Sequence, residues 1–456
     1  MADAEVGLLA GIGQRFLDCC ERFSGHFRRR TRTVEASARH YVRGLLQAET
    51  KNMERMEEAI PEADHQALHH MPSESAWPER AVLDQVAQDA SRLLGGPTDS
   101  ALLIDESGCP KKGTQSVGVA RQWCGQLGKV ENCQGGVFAA LSRGTEATLI
   151  DGRLCLPEAW TRDSARCQAA GIPKAHRSFQ RKTDLALAMI VHARQQGIGF
   201  AWVGFDGFYG SDPAFLRALD AHGEVFVGAV HKDQRIYLED PRPLVPPAQT
   251  VHGRPPTRLQ AQTPAARVDH WAQQQPASAW QAVTLREGTK GPLRVEVLHR
   301  RVWLWDGEEA QARPWHLIVR REIDDPTEIK YSLSNAAADT PAPRLAFMQG
   351  QRYWIERALQ QGKQDVGLGN YQVRGWRGWH HHMTLVMMAM LFLLEERQLH
   401  QQTRPLLSGR DIRALLNHFL PRRDTTLEEV LRQMEDRHRK RQAAIDSAYR
   451  KQQLNE

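Results

Sequence analysis

Three carboxylates constrain this chain more than any other feature, because of where they stand. Asp105 closes the apolar run Ala101-Leu-Leu-Ile, and Asp206 closes a second, Phe200-Ala-Trp-Val-Gly-Phe. Glu356 lies far downstream in Arg352-Tyr-Trp-Ile-Glu-Arg-Ala-Leu-Gln-Gln-Gly-Lys363, a segment with helical periodicity. Two acids at the mouths of buried strands and a third on a helix are the oxygen donors that a pair of Mg²⁺ ions needs beside a phosphodiester. The 54 Asp and Glu residues would supply an acid triple by chance, so the positions carry the information and the number does not.

The surrounding pattern predicts the scaffold. Ala101–Asp105, Ser116–Trp123 and Gly136–Ser142 read as a three-stranded antiparallel meander, with Thr148–Asp151 as an extension. A helix over Lys182–Gln196 follows, then the strand ending at Asp206, a short helix Asp212–His222 and a strand Glu224–Val230. This order predicts an α/β, ribonuclease H-like core in which the first and fourth strands are neighbours, so that Asp105 and Asp206 meet. Residues 1–96 read as a helical DNA-binding domain that breaks at Gly95-Gly-Pro97, and residues 97–230 as the first part of the core. Residues 231–340 read as a β-rich insertion: irregular over Asp240–Pro276, with strand alternation at Leu293–Trp305, His316–Ile323 and Ile329–Leu333. Residues 341–400 read as the second part of the core with the acid-bearing helix, and 401–456 as a basic helical region that includes Arg437-His-Arg-Lys-Arg441.

Composition removes other classes. Net charge is +6, compatible with a polyanionic partner but weak support for one. Seven cysteines without a CxxC spacing argue against a disulfide framework and a zinc ribbon, and for a reducing interior. The N-terminus carries no export pattern, and the longest apolar run, Leu385 to Leu394, is too short to span a bilayer and reads as a buried helix. A cytoplasmic protein without a membrane partner is expected. Gly125-Gln-Leu-Gly-Lys129 is too short for a phosphate-binding P-loop, and neither GxSxG nor HExxH occurs. The histidines 380–382 cannot converge on one metal without a sharp bend. Arg28-Arg-Arg-Thr-Arg32 reads either as a solvated helix end or as a phosphate contact.

Neighbouring side chains on a strand face opposite ways, so only one of Asp105 and Glu106 belongs to the site. Asp105 ends the apolar run and is the choice; Glu106 faces away or supports it from behind. Gly207 and Gly210 let the chain turn sharply after Asp206. Arg352 is four residues before Glu356, and Lys363 seven after, on one helical stripe. That stripe is either a metal site with flanking phosphate clamps or an exposed ion-pair ladder. Lys111 and Lys112 follow the first acid and could touch DNA or form a solvated turn.

Longer motifs then become specific: Ile104-Asp-Glu-Ser-Gly-Cys-Pro-Lys-Lys-Gly113, Ser116-Val-Gly-Val-Ala-Arg-Gln122, Gly128-Lys-Val-Glu-Asn-Cys-Gln134, Val203-Gly-Phe-Asp-Gly-Phe-Tyr-Gly210 and Trp354-Ile-Glu-Arg running into Lys363-Gln-Asp-Val-Gly-Leu368. Tyr371-Gln-Val-Arg374 and Trp376-Arg-Gly-Trp379 follow. Over roughly residues 30 to 400 the chain resembles insertion-sequence transposases of the DDE superfamily, in the branch with a β insertion before the glutamate. That family's signature around the glutamate is Tyr-x2-Arg-x3-Glu-x6-Lys; here Arg352, Glu356 and Lys363 fit, but Gln349 stands at the tyrosine position, and Tyr353 lies near the same helix face.

The resemblance implies two Mg²⁺ ions, for which Mn²⁺ could substitute, about 4 Å apart on Asp105, Asp206 and Glu356. One would activate water or a DNA 3′-hydroxyl and the other would stabilise the leaving 3′-oxygen. Arg352 and Lys363 would clamp phosphates near the transposon end. The implied partner is double-stranded DNA, both terminal inverted repeats and target, with a homodimer in the DNA complex. Relatives hold an extruded base against a tryptophan, for which Trp303 and Trp305 are candidates beside ordinary strand packing. Two alternatives remain: a ribonuclease H-like nuclease that never joins ends, and a non-catalytic DNA-binding relic.

Overall fold

The computed structural model describes residues 7, 9–28, 33–96, 98–247, 256–288, 291–424 and 426–453. Pro97 and, within the basic cluster, Arg29 to Arg32 lie outside the described residues. Twelve strands are present among the described residues: β1 (Ser100–Pro110), β2 (Ala120–Cys124), β3 (Lys129–Arg143), β4 (Glu146–Leu154), β5 (Trp202–Phe205), β6 (Phe226–Val230), β7 (Arg235–Ile236), β8 (Ala266–Arg267), β9 (Gln281–Arg286), β10 (Leu293–Leu304), β11 (Arg313–Glu322) and β12 (Ile329–Ser334). All but β7 and β8 belong to one mixed sheet, ordered β2-β3-β1-β5-β6-β12-β11-β10-β9, with β4 also on β3.

The ribonuclease H-like core is the stretch β4-β3-β1-β5-β6, antiparallel in its first half and parallel in its second. The helix Lys182–Gln195 leads from the antiparallel half into β5, and the helix Pro213–Ala221 leads from β5 to β6. One assignment within the core changes. The segment expected to be its second strand, Ser116–Trp123, is strand only over Ala120–Cys124, because Gly118 sits at φ 72° and turns the chain before it can pair. The second strand is β3, whose run Val137–Leu141 is buried throughout and pairs with β1 on one edge. On its other edge β3 takes β2 first and then β4.

The region between the second and third acids extends the same sheet. β12 runs antiparallel to β6, from Tyr331↔Val230 to Ser334↔Val227, and β11, β10 and β9 follow in turn. Its far face has its own small core around Val302, Leu317, Val319 and Leu333.

A 25-residue helix, Trp376–His400, lies buried between the sheet and the N-terminal helices. Phe16 meets Phe392 edge-on at 5.4 Å, Trp77 stacks on His381 at 3.9 Å, and the Tyr41 hydroxyl lies 2.9 Å from His382 Nδ1. Arg15 grips Glu396 with two hydrogen bonds of 2.7 Å. The three successive histidines thus point into different surroundings. The final helix, Leu427–Gln453, is tied back by Lys440 to Glu57 at 2.8 Å and Arg437 to Glu58 at 3.1 Å, which uses two cations of the C-terminal basic cluster. Arg28 is likewise paired, with Glu35 at 2.7 Å and Glu21 at 2.9 Å. No helix among the described residues is long and apolar enough to cross a membrane.

Phe392 joins the N-terminal helices to the central one, so Phe392→Ala is expected to cost about 3–5 kcal/mol in urea unfolding. A loss below about 1 kcal/mol would mean that the interface around it is loosely packed.

Candidate active site

β1 and β5 pair in parallel from Ala101↔Trp202 to Ile104↔Phe205, and the next residue on each strand is the acid. Asp105 and Asp206 therefore emerge side by side where the two backbones part. Asp206 immediately caps the turn that follows, its Oδ1 accepting from Phe208 N at 3.1 Å. Gly210 closes that turn against β6: a Cβ there would stand 1.8 Å from the Ala229 carbonyl oxygen, so no larger residue fits without moving Asp206.

The third acid arrives on a separate element. The helix Ala342–Gln351 breaks at Arg352 and a new helix, Tyr353–Asp365, places Glu356 in its first turn. The break turns Arg352 toward the strands. Its Nη2 donates to Glu356 Oε1 at 2.5 Å, and its Nη1 lies 3.6 Å from Asp105 Oδ2. One guanidinium thus bridges the first and third acids. The Asp105 side chain is 14% exposed and that of Glu356 47%, so one is held inside and the other stands at the rim. Burial lifts the Asp105 pKa to about 7; Arg352 and the Glu106 N–H oppose the shift, while Asp206 and Glu356 add to it.

Asp206 and Glu356 line two depressions that meet at the acids. One, of about 610 Å³, also takes in Asp105, Trp123 and Lys363. The other, a groove of about 940 Å³, runs along the β insertion past Lys232, Arg320, Lys330 and Tyr353. Lys363 has no hydrogen bond or ion pair among the described residues and faces the first depression. Lys111 does neither: its ammonium donates to the Tyr371 carbonyl at 3.2 Å and sits 3.4 Å above that ring, and burial lowers its pKa to about 8. Lys112 is exposed on the adjoining turn. Glu106 also lines the first depression, where Lys182 meets it at 2.5 Å.

Gln349, at the family's tyrosine position, donates to Ser332 Oγ at 2.8 Å and keeps its Oε1 buried without a partner among the described residues. Tyr353 lies in the groove under Arg286, 4.0 Å from guanidinium carbon to ring centre. Trp303 and Trp305 line neither depression. Trp303 is bridged to Tyr237 through the backbone, and Trp305 donates its indole N–H to the Glu309 carbonyl at 2.7 Å.

As the side chains stand, no three His, Cys, Asp or Glu among the described residues are close enough to hold a metal. The Arg352 guanidinium stands between Asp105 and Glu356. The donor set nonetheless suits a hard divalent cation, since it is all oxygen, and a carboxyl whose pKa rises to about 7 beside two other acids is short of positive charge.

The model of the DDE superfamily endonucleases matches residues 22–292, more than half of the chain. The chain belongs to that family. Among curated proteins, this DDE endonuclease is 21% identical over 350 residues to the probable transposase for insertion sequence element IS701 of Microchaete diplosiphon, covering 75% of this chain and 77% of that one. A solved structure, the NurA nuclease from Sulfolobus solfataricus, aligns at 9% identity over 71% of this chain and 92% of that one; its TM-score of 0.23 carries no argument. The family match includes Asp105 and Asp206 and ends before Glu356, so the third acid rests on the geometry above and on the motif it sits in.

Two residues of this endonuclease escaped assignment from the sequence. Tyr209 is fully buried with its hydroxyl unpartnered among the described residues, and burial raises its pKa, with Glu106, Asp105 and Asp206 adding to the shift. Its motif was visible, but nothing in a linear motif says that the hydroxyl turns inward. Trp123 is 62% exposed and lines the depression beside the acids; only the pairing of β2 with β3 puts it there.

The folded protein keeps a proton on Asp105 that an unfolded chain, with an ordinary pKa of 3.8, releases. Stability from this group is therefore complete below about pH 4 and lost as pH rises through about 7. In EDTA, the wild-type Tm is expected to fall more steeply between these limits than that of Asp105→Asn; parallel curves would contradict the burial argument.

Proposed function

We propose that this DDE endonuclease is an insertion-sequence transposase, which binds the terminal inverted repeats of its own element and cuts and rejoins DNA strands at Asp105, Asp206 and Glu356. The observation that carries this reading is the adjacency of Asp105 and Asp206 across the parallel β1–β5 pair, with Arg352 bridging to Glu356. The similarity to a probable transposase over three-quarters of the chain supports strand joining in addition to cutting.

Divalent cations held by the three carboxylates, Mg²⁺ first and Mn²⁺ as substitute, would supply activation of a hydroxyl nucleophile and neutralisation of charge on the phosphodiester. The protein's own residues do the rest. Asp105 and Asp206 are fixed by the sheet and need no rearrangement to stay paired. Glu356 sits at the rim, within reach of Arg352, which can pass from the carboxylates to a phosphate oxygen when DNA arrives; both are hard anions and a guanidinium binds either in the same planar geometry. Lys363, with no partner to give up, supplies a second phosphate contact. In this reading residues 1–96 bind DNA, 97–230 and 341–400 form the nuclease core, 231–340 are the insertion, 401–456 the basic tail, and two copies assemble on paired ends.

Purified protein is expected to nick terminal-repeat DNA with Mg²⁺ or Mn²⁺, and Asp206→Ala to lose nicking while its circular dichroism remains native and its Tm falls by no more than a lost cap explains. Nicking that survives this substitution would eliminate the acid assignment. Lys363→Ala is expected to weaken end binding about tenfold, as for loss of one charge-assisted contact, with metal binding unchanged. Equal loss of both would remove the phosphate-clamp role.

A further inference from the structure

The groove along the insertion holds positive charge that strand cleavage at the acids does not use. Arg320 on β11 stands opposite Lys330 on β12, facing the helix Ala342–Gln351. It is only 8% exposed, yet it makes no hydrogen bond or ion pair among the described residues, and its Nε is buried without a partner. A Cβ on Gly350 would lie 3.7 Å from its Nη1, so the side chain runs directly beneath the helix backbone and into the groove. Glu322 and Glu328 attract it from a distance, while Arg286 and Arg352 repel it. Arg286 on β9 is in a similar state: its guanidinium lies over Tyr353, and its Nη1 is buried without a partner.

A guanidinium cannot shed its proton under ordinary conditions, so an unpaired buried one is a standing cost. Arg320 opens on the groove beside Lys330, while the half-buried Arg286 covers Tyr353 at the groove's edge, and both are short of an anion. A single carboxylate from the chain would have satisfied them, and none reaches.

We propose that Arg320 and Arg286 form a second phosphate subsite, which takes one backbone phosphate of the DNA strand lying along the insertion, apart from the phosphodiester cut at the acids. The planar N–H forks of the two side chains suit the paired oxygens of a phosphodiester. Because Arg286 also lies on Tyr353, three residues before Glu356 in the same helix, a phosphate seated here orders the start of the acid-bearing helix. This inference rests on the DNA-cutting reading, and deepens it by assigning the path of the strand.

The test uses the full chain and a labelled duplex carrying the element's end, with affinity measured over a range of NaCl concentrations. Arg320→Met and Arg286→Gln are each expected to weaken binding about tenfold and to flatten the dependence of log K on log[salt] by about 0.9. A duplex in which single phosphates are replaced in turn by neutral methylphosphonate should show one position that weakens the wild type and leaves Arg320→Met unaffected. Without DNA, Arg320→Met should have a Tm equal to or above that of the wild type, since an unpaired buried charge has been removed. A fall in Tm with affinity and salt slope unchanged makes Arg320 structural and overturns the proposal, as does the absence of any such methylphosphonate position. If Arg320→Met fails to fold, an unchanged affinity and slope in Arg286→Gln overturns it alone. The two readings fail separately: nicking that survives Asp206→Ala sinks the nuclease, whereas an unchanged salt slope sinks only this subsite.

Discussion

The hydrogen-bond ladder between β1 and β5 fixes the distance between two acids that are a hundred residues apart in the chain. Because the pairing is parallel and in register to its last rung, neither acid can shift without breaking the ladder or turning its side chain to the other face of the sheet. The rest of the molecule maintains that register. Ala101 to Ile104 and Trp202 to Phe205 are buried, and helices pack both faces, as a parallel pair requires. Gly210 lets the turn after Asp206 press against β6.

Charge at the site follows from this geometry. Carboxylates forced together at the end of a desolvated strand pair demand a cation, and Arg352 meets part of that demand from a break between two helices. The arrangement leaves Asp105 with a strongly raised pKa and Glu356 exposed at the rim. In the proposed reading, an incoming metal and phosphate would relieve this shortage of positive charge, and binding energy would be directed to the three acids. The insertion adds to the same surface, since its strands continue the core sheet and bring Arg320 and Lys330 into the groove that Asp206 and Glu356 also line.

Much of this was legible in the sequence. An apolar run ending in an acid specifies a strand and its mouth at once, which is why Asp105 and Asp206 could be located and their adjacency foreseen from the order of strands and helices. The insertion strands β10, β11 and β12 showed clear alternation. What could not be read were consequences of pairing. The turn at Gly118 shortened one expected strand and made β3 the second core strand, because a glycine's backbone angle is not visible in composition. The edge strand β9 has too few apolar residues to stand out. Lys111 looked like a surface cation next to an acid, but its partner Tyr371 is 260 residues away and turns it inward. Glu356 and Arg352 were found by helical spacing, but the contact of Arg352 with Asp105 depends on the break at residue 352, which a single glycine at 350 inside a helical pattern does not specify.

The central claim is that three carboxylates, distant in sequence, share one divalent-cation site, and iron-directed cleavage tests it without DNA. Fe²⁺ with ascorbate, loaded in place of Mg²⁺, generates radicals that cut the backbone only close to the bound metal. The account predicts three cuts, near residues 105, 206 and 356, all suppressed together by excess Mg²⁺ and all lost in Asp206→Asn. Cuts near a single acid, or cuts that Mg²⁺ does not suppress together, would show that the acids do not act as one site.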